Sequence, residues 1–204
     1  SDLDEKTILN LKMQGAKIDV WGIGTRLITA YDQPALGCVY KLVSIEDENG
    51  VMVDTMKISN NAEKVSTPGK KQVWRITRNS DGKSEGDYIA LWDERPDQLD
   101  ELFMFHPVYT YINKTVKDFT ARPILQTIFE NGKRVYELPK LQEIKAYKDE
   151  QIEALWDEYK RILNPEQYPV DLSQKTYDQK LASIAEIREE VRLKSEQLAK
   201  ENAK

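Results

Sequence analysis

Residues 17–25 read Lys-Ile-Asp-Val-Trp-Gly-Ile-Gly-Thr, a short, partly apolar run that passes directly into a glycine loop. The run predicts a strand over residues 17–21, and the glycines predict a loop at its carboxyl end. A helix is predicted before it, with Asp2 as the N-cap, Glu5 as its third residue and Gly15 at its end. The three together predict an α/β unit. Parallel strands need neighbours, so we expect the partners of this strand to lie outside the sequence.

The chain changes character from about Cys38, where runs of β-branched and aromatic residues begin. Antiparallel strands are predicted over residues 39–45, 51–58, 73–77 and 88–92. Between strand-like runs lie Asn-Gly and Asp-Gly dipeptides, which favour the left-handed backbone of tight turns and therefore predict three hairpins. These dipeptides are Asn49-Gly50, Asp81-Gly82 and Asn131-Gly132.

Proline marks the other breaks in the chain. Pro68-Gly69 predicts a turn, and residues 95–100 predict a surface loop because they combine proline with charged residues. The last third predicts two helices. The first begins near Pro139 and continues to Asn164-Pro165, and the second begins at about Ser173.

Composition excludes several classes of protein. The chain has 204 residues and a formal net charge of -5, which argues against non-specific binding to nucleic acid. A single cysteine and a single histidine leave no disulfide framework and no zinc cluster, so we expect a reducing, cytoplasmic setting. No apolar run approaches the roughly 20 residues of a membrane-spanning helix, and the first residues lack the pattern of a signal peptide.

The glycine loop carries the sharpest chemical signal. Gly22 and Gly24 let the backbone approach an anion, and Thr25 adds a hydroxyl donor, so the loop predicts a phosphate site. The free amides at the start of the first helix, near Asp2 and Leu3, are a second candidate for phosphate contacts. A plain connecting turn and an ordinary helix cap are the alternatives for these two segments.

Three other features are interpreted as structural. His106 precedes a proline among aromatic residues, with no carboxylate partner indicated by spacing, so we expect it to pack rather than to catalyse. Cys38 is expected to be a small buried residue on a strand. Seven basic residues lie between Lys57 and Lys83 and are expected to form a solvated face, with attraction of an anionic ligand as the alternative.

The glycine loop is followed by Thr29-Ala30-Tyr31-Asp32-Gln33-Pro34-Ala35-Leu36-Gly37 and Val39-Tyr40-Lys41-Leu42-Val43. The strings continue with Lys57-Ile58-Ser59, Thr67-Pro68-Gly69, Phe105-His106-Pro107 and Tyr168-Pro169-Val170-Asp171-Leu172-Ser173, so that they are spread along almost the whole chain. In them the sequence closely resembles the nicotinate phosphoribosyltransferases.

The resemblance implies a type II phosphoribosyltransferase fold: an α/β barrel-like domain and a β-rich domain. Residues 1–37 would be the end of the barrel-like phosphoribosyltransferase domain, residues 38–138 an antiparallel β-rich segment with hairpins, and residues 139–204 a C-terminal helical segment. The implied enzyme is a cytoplasmic homodimer of ligase type. It joins nicotinate to phosphoribosyl pyrophosphate, coupled to ATP hydrolysis, and forms nicotinate mononucleotide for NAD biosynthesis.

The same resemblance implies the roles of individual residues. Gly22, Gly24 and Thr25, with the backbone at Asp2 and Leu3, would bind the phosphate of the phosphoribosyl group. No cofactor is expected to be tightly bound; ATP and Mg²⁺ would act as co-substrate and ion of the complete enzyme.

The resemblance implies that the family's phosphorylated histidine lies upstream of this sequence, so His106 does not inherit that role, and we expect the fragment to be inactive alone. The alternatives are a related nicotinamide or quinolinate phosphoribosyltransferase, or a non-catalytic β-rich binding module.

Overall fold

The computed structural model describes residues 2–61 and 64–202, and the chain divides into two units, Ser1–Tyr40 and Lys41–Lys204. The first unit contains helix α1 (Glu5–Met13) and the short helix α2 (Thr25–Ile28). Gly15 ends α1 with a positive φ of 85°, as predicted. Its amide donates to Lys12 O, and the amide of Ala16 donates to Leu11 O, a pair of bonds that satisfies two free carbonyls of the last turn.

The predicted strand over residues 17–21 is wrong. The segment is not helical, yet no strand of the described residues pairs with it, and Val20 is 87% exposed. A strand exists only through hydrogen bonds to a neighbour, so a correct local pattern without a partner leaves an unpaired connection.

The described residues of the second unit form ten strands, and three of the hairpins between them confirm the turn predictions. Asn131 and Gly132 have φ values of 49° and 75°, the two left-handed residues that a two-residue hairpin requires. Gly50 and Gly82 supply the positive φ in the other two hairpins. The strands are β1 (Ser44–Glu46), β2 (Met52–Asp54), β3 (Lys71–Arg78), β4 (Ser84–Leu91), β5 (Glu101–Phe105), β6 (Asn113–Lys117), β7 (Phe119–Pro123), β8 (Phe129–Glu130), β9 (Lys133–Arg134) and β10 (Val170–Leu172).

Six of these strands form one mixed sheet, in the order β6-β5-β10-β4-β3-β7. Strand β10 runs parallel to β4 and antiparallel to β5, so it joins the two halves of the sheet. Apolar side chains from one face form the core. They are Trp74, Ile76, Tyr88, Ala90, Leu102, Met104, Val116 and Ala121. This arrangement confirms the predicted β-rich segment and its hairpins.

Several boundaries differ from the prediction. The strands predicted over residues 39–45 and 51–58 shrink to the short β1 and β2, and Cys38 is exposed rather than buried on a strand. The segment over residues 95–100 is not wholly a surface loop, because it contains a 3-10 turn (Pro96–Gln98) whose proline is fully buried.

The C-terminal segment contains α3 (Leu141–Glu153), a 3-10 turn (Asp157–Lys160) and α4 (Gln174–Asn202). The helix predicted from Pro139 to Asn164 ends early because the following residues bind the hairpin between β3 and β4. The indole of Trp156 donates to Ser84 O at 2.9 Å, and the Lys83 ammonium donates to Glu153 O at 2.7 Å. Helix α4 begins next to Ser173, where the second helix was predicted to start, and Ser173 Oγ accepts from the amide of Thr176 at 3.0 Å, as a capping residue does. Within the described residues, no helix has the length and apolar character needed to cross a membrane.

Candidate functional site

The glycine loop leaves its amides available. Gly24 is the N-cap of α2, and its carbonyl accepts from the amides of Leu27 and Ile28, each at 3.1 Å. None of the amides from Gly22 to Thr25 donates a hydrogen bond to any described residue. No atom lies within 4 Å of a Cβ built at Gly22 or Gly24, so the space beside the loop is open. Since α2 has only four residues, the loop amides themselves must provide any attraction for an anion.

The start of α1 differs in detail from the prediction. Asp4, not Asp2, is the N-cap: it has the extended backbone that a cap requires, and its carboxylate accepts from the amide of Thr7 at 2.7 Å. Asp2 has a φ of 60°, which does not suit that position. The hydrogen bond from Thr7, helped by the charge of Arg26, lowers the pKa of Asp4. The amides of Asp2 and Leu3 donate no hydrogen bond within the described chain.

An ion pair brings the two predicted groups of site residues together. Arg26 Nη1 lies 2.8 Å from Asp4 Oδ2, which joins the residue after Thr25 to the residue after Leu3. The Asp4 side chain is only 15% exposed, so solvent screens this pair less than the exposed Lys6–Asp32 pair.

A cleft of about 360 Å³ lies beside this ion pair. Its lining includes three carboxylates and one guanidinium, and neither glycine of the loop contributes to it. The lining residues are Asp4, Glu5, Ile8, Ile23, Arg26, Leu27, Ala30, Tyr31, Asp32 and Gln33. The acidic lining opposes an anion in the cleft itself, so a phosphate would have to contact the amides at its edge.

His106 has the structural environment expected of it. Its Nδ1 accepts from the amides of Val108 at 3.1 Å and Tyr109 at 3.0 Å, and its ring stacks on Tyr109 at 5.0 Å between centroids. Because Nδ1 accepts, the neutral ring carries its proton on Nε2. The ring therefore holds the turn between β5 and β6.

Most basic side chains between Lys57 and Lys83 have partners within the structure. The Lys71 ammonium donates to Thr67 O at 2.7 Å, Pro68 O at 3.0 Å and also to Gly69 O, and burial lowers its pKa. Other members have partners of their own: Lys70 lies over the Trp92 ring, Arg75 binds Asp87, Arg78 binds Asp81, and Lys83 binds Glu153 O. The stretch is therefore not a row of free cations, which weakens the alternative of ligand attraction.

Sequence reasoning did not single out Asp171 for its chemistry. This carboxylate lies in the middle of β10, where it pairs with Tyr88 of the core, and it is only 6% exposed. Burial raises its pKa, and the charge of Lys114 opposes this shift to a lesser degree. The one local signal is an acidic residue flanked by Val170 and Leu172.

Comparison with known proteins gives consistent results. A family model described as the nicotinate phosphoribosyltransferase C-terminal domain matches residues 70–180. Nicotinate phosphoribosyltransferase of Bacillus subtilis is 56% identical over 191 residues, which cover 94% of this chain and 39% of the relative. The Bos taurus protein of the same name is 32% identical over 175 residues, covering 86% of this chain and 31% of the relative.

A solved structure gives the same likeness in three dimensions. The crystal structure of human nicotinic acid phosphoribosyltransferase superposes with a TM-score of 0.63 at 25% identity, and the match covers 86% of this chain and 30% of the human one. The chain thus spans about a third of the length of the relatives it matches.

Proposed function

Because the chain belongs to the family of nicotinate phosphoribosyltransferase C-terminal domains, we propose that it is part of an enzyme that joins nicotinate to phosphoribosyl pyrophosphate. The product is nicotinate mononucleotide, and pyrophosphate is released. The observation that supports this most is the 56% identity to the Bacillus subtilis enzyme, which extends over 94% of the chain. The related pyridine phosphoribosyltransferases are the weaker alternative, because the relatives named here bear the nicotinate name.

Within that enzyme the chain supplies an anchor for the phosphoribosyl group. The amides of Gly22, Gly24 and Thr25 are unpaired within the described residues, and the Arg26–Asp4 ion pair holds them beside the start of α1. Backbone amides in this arrangement bind phosphate oxygens without needing a free cation. The amides of Asp2 and Leu3 extend the same anchor.

The phosphate anchor contributes to the reaction by positioning the ribose. Glycosyl transfer requires the ribose to be held in line with the attacking pyridine nitrogen while pyrophosphate leaves. Binding energy from the remote phosphate fixes the sugar in that geometry, so its loss lowers turnover as well as affinity. The groups that act on the pyridine ring are supplied by other parts of the enzyme.

The proposal also includes ATP hydrolysis with Mg²⁺, a homodimer, ligase-type chemistry and a cytoplasmic location. These features are supported by the resemblance of the sequence to the family. The single cysteine, which suits a reducing setting, supports the location.

Replacement of Gly24 by valine in the complete enzyme tests the anchor. The added side chain occupies the space beside the loop, so we expect a lower kcat and a higher KM for phosphoribosyl pyrophosphate. Gly37→Val is the matched control, since Gly37 also has no atom within 4 Å of an added Cβ and lies outside the loop. Unchanged kinetics in the Gly24 variant would remove the loop from the phosphate site.

A separate assay tests the reaction itself. The unmodified enzyme is offered nicotinate, nicotinamide and quinolinate in competition, and mononucleotide products are separated by chromatography. We expect product from nicotinate. A preference for either other pyridine would overturn the proposed substrate while leaving the phosphate anchor to be judged by the Gly24 result.

A further inference from the structure

A second cavity, of about 360 Å³, lies in the β-rich unit and is independent of the glycine loop. It opens where β5 turns into β6, beside the segment that leads into β10. Its lining combines apolar, acidic and amide groups: His106, Ile112, Asn113, Lys114, Glu166, Gln167, Tyr168, Pro169, Val170 and Asp171. We call this the Asp171 cavity.

The register of the sheet places Asp171 on the face that holds the core. Asp171 pairs with Tyr88 of β4, and Tyr88 is a member of the core cluster. The pairing of Leu172 with Phe105 sets Asp171 beside His106 across the antiparallel pair of β10 and β5. Asp171 therefore lies on the core face of β10 and is one of the residues that line the cavity.

The Asp171 carboxylate lacks the partners that a buried charge normally has. The residue as a whole is only 6% exposed, and no hydrogen bond or ion pair joins its carboxylate to a described residue. Among the described residues, Trp74 Nε1 is the one fully buried side-chain atom without a partner, so the Asp171 oxygens remain accessible from the cavity. Buried carboxylates are costly unless paired or hydrogen-bonded. An unpaired one that lines a cavity therefore points to a group that enters the cavity and donates to it.

The other charges leave a net negative lining. The Lys114 ammonium is committed to Glu85, with Oε2 at 2.9 Å and the backbone oxygen as a second acceptor. His106 uses Nδ1 to accept backbone amides, and Glu166 adds a second carboxylate with no ion pair among the described residues. The carboxylates of Asp171 and Glu166 therefore give the cavity a net negative lining, which attracts a positively charged ligand.

The lining also favours an organic cation over a metal ion. No group of three or more potential ligating side chains is gathered anywhere in the described chain. Ile112, Pro169 and Val170 instead provide apolar contacts for a short hydrocarbon stem beside the carboxylates. A charged nitrogen with several N–H donors at the end of such a stem matches both halves of the lining.

We propose that the Asp171 cavity binds an alkylammonium or alkylguanidinium group, with Asp171 as the acceptor for the charged nitrogen. The group could belong to a free small molecule or to a lysine or arginine side chain of a second copy of the chain. The same chemistry serves both sources, and the nearby exposed Tyr109 and Tyr111 would frame either one.

Binding of n-butylguanidinium, with n-butylurea as its neutral isostere, tests the proposal by titration calorimetry on the complete enzyme. We expect the cation to bind about tenfold or more tightly than the urea, because a hydrogen bond to a buried charge is lost in the neutral probe. Asp171→Asn should reduce binding of the cation to the level of the urea. Asp100→Asn is the matched control, since Asp100 is exposed and makes no ion pair within the described residues.

Sedimentation distinguishes the two sources. If a side chain of a second copy fills the cavity, the chain is a dimer that excess n-butylguanidinium or Asp171→Asn converts to monomer. If a free cation is the ligand, neither n-butylguanidinium nor Asp171→Asn changes the sedimentation mass of the protein, and only calorimetry detects the binding. Equal affinity for both probes overturns the proposal, as does the absence of any Asp171-dependent binding together with an Asp171-independent mass.

Discussion

Gly86 of β4 is the position where an added methyl group should do most damage to the sheet. It has a φ of 140°, and a Cβ built there would lie 3.0 Å from both Cβ and O of Pro169, and 3.4 Å from Cε of Met104. Pro169 O is also the acceptor for the amide of Asp87 at 3.0 Å. The missing side chain therefore allows the backbone leading into β10 to approach β4 and to make the first parallel hydrogen bond.

The cost of Gly86→Ala has two parts. A residue with a Cβ held at this φ costs about 1–3 kcal/mol. The contact with a backbone oxygen cannot be relieved by a rotamer change, and overpacking of this kind costs about 1–3 kcal/mol more. The sum, about 2–6 kcal/mol, corresponds to a fall in Tm of roughly 4–24 °C for a chain of this size.

Gly82→Ala separates the two parts. Gly82 also has a positive φ, of 70°, but no atom lies within 4 Å of a Cβ built there. We expect that variant to lose only the conformational part, about 1–2 kcal/mol. Urea unfolding and calorimetry on both variants measure the difference. Equal destabilisation by the two substitutions would refute the close approach of Pro169 to β4.

Two further predictions concern the core and its buried acid. Ile76 is fully buried, so Ile76→Ala should lower the free energy of unfolding by about 2–5 kcal/mol in urea titrations, whereas Ile45→Ala, at a side chain that is 53% exposed, should cost less than about 1 kcal/mol. Burial raises the pKa of Asp171, so the folded state binds the proton of this carboxyl more tightly than the unfolded chain does. The stability that proton binding provides is fully present at low pH and is lost as the pH rises through the folded-state pKa. The stability of Asp171→Asn relative to the unmodified chain should therefore increase from acid to neutral pH, and a difference that is flat or falls with pH would contradict the assignment.

The sequence predicts well those turns and helix ends that depend only on neighbouring residues. The Asn131-Gly132 hairpin forms because those two residues accept left-handed backbone whatever surrounds them. Gly15 ends α1 for the same reason. The predicted start of α4 near Ser173 is also set locally, by a hydrogen bond between the Ser173 hydroxyl and the amide of Thr176 three residues later.

What the sequence misses depends on distant partners. Strand β10 has three residues and becomes a strand only between β4 and β5, which lie more than sixty positions earlier along the chain. The opposite error occurs at residues 17–21, where a strand-like pattern has no partner among the described residues. The sequence did not predict the Asp171 cavity for the same reason, because its lining combines residues of β10 with residues that follow β5 and lie far from β10 along the chain.

The distribution of paired charges sets how the two candidate sites can work. In the β-rich unit the Lys71 ammonium donates to backbone carbonyls and the Lys114 ammonium binds Glu85, so these two cations have structural partners. In the first unit Arg26 is committed to Asp4, which leaves backbone amides as the attraction for an anion there. Since an amide carries only a partial charge, it must lie within hydrogen-bond distance of the anion to contribute. Recognition of phosphate at the glycine loop is therefore a matter of close fit, whereas the unpaired carboxylate at Asp171 offers a full charge to a cation.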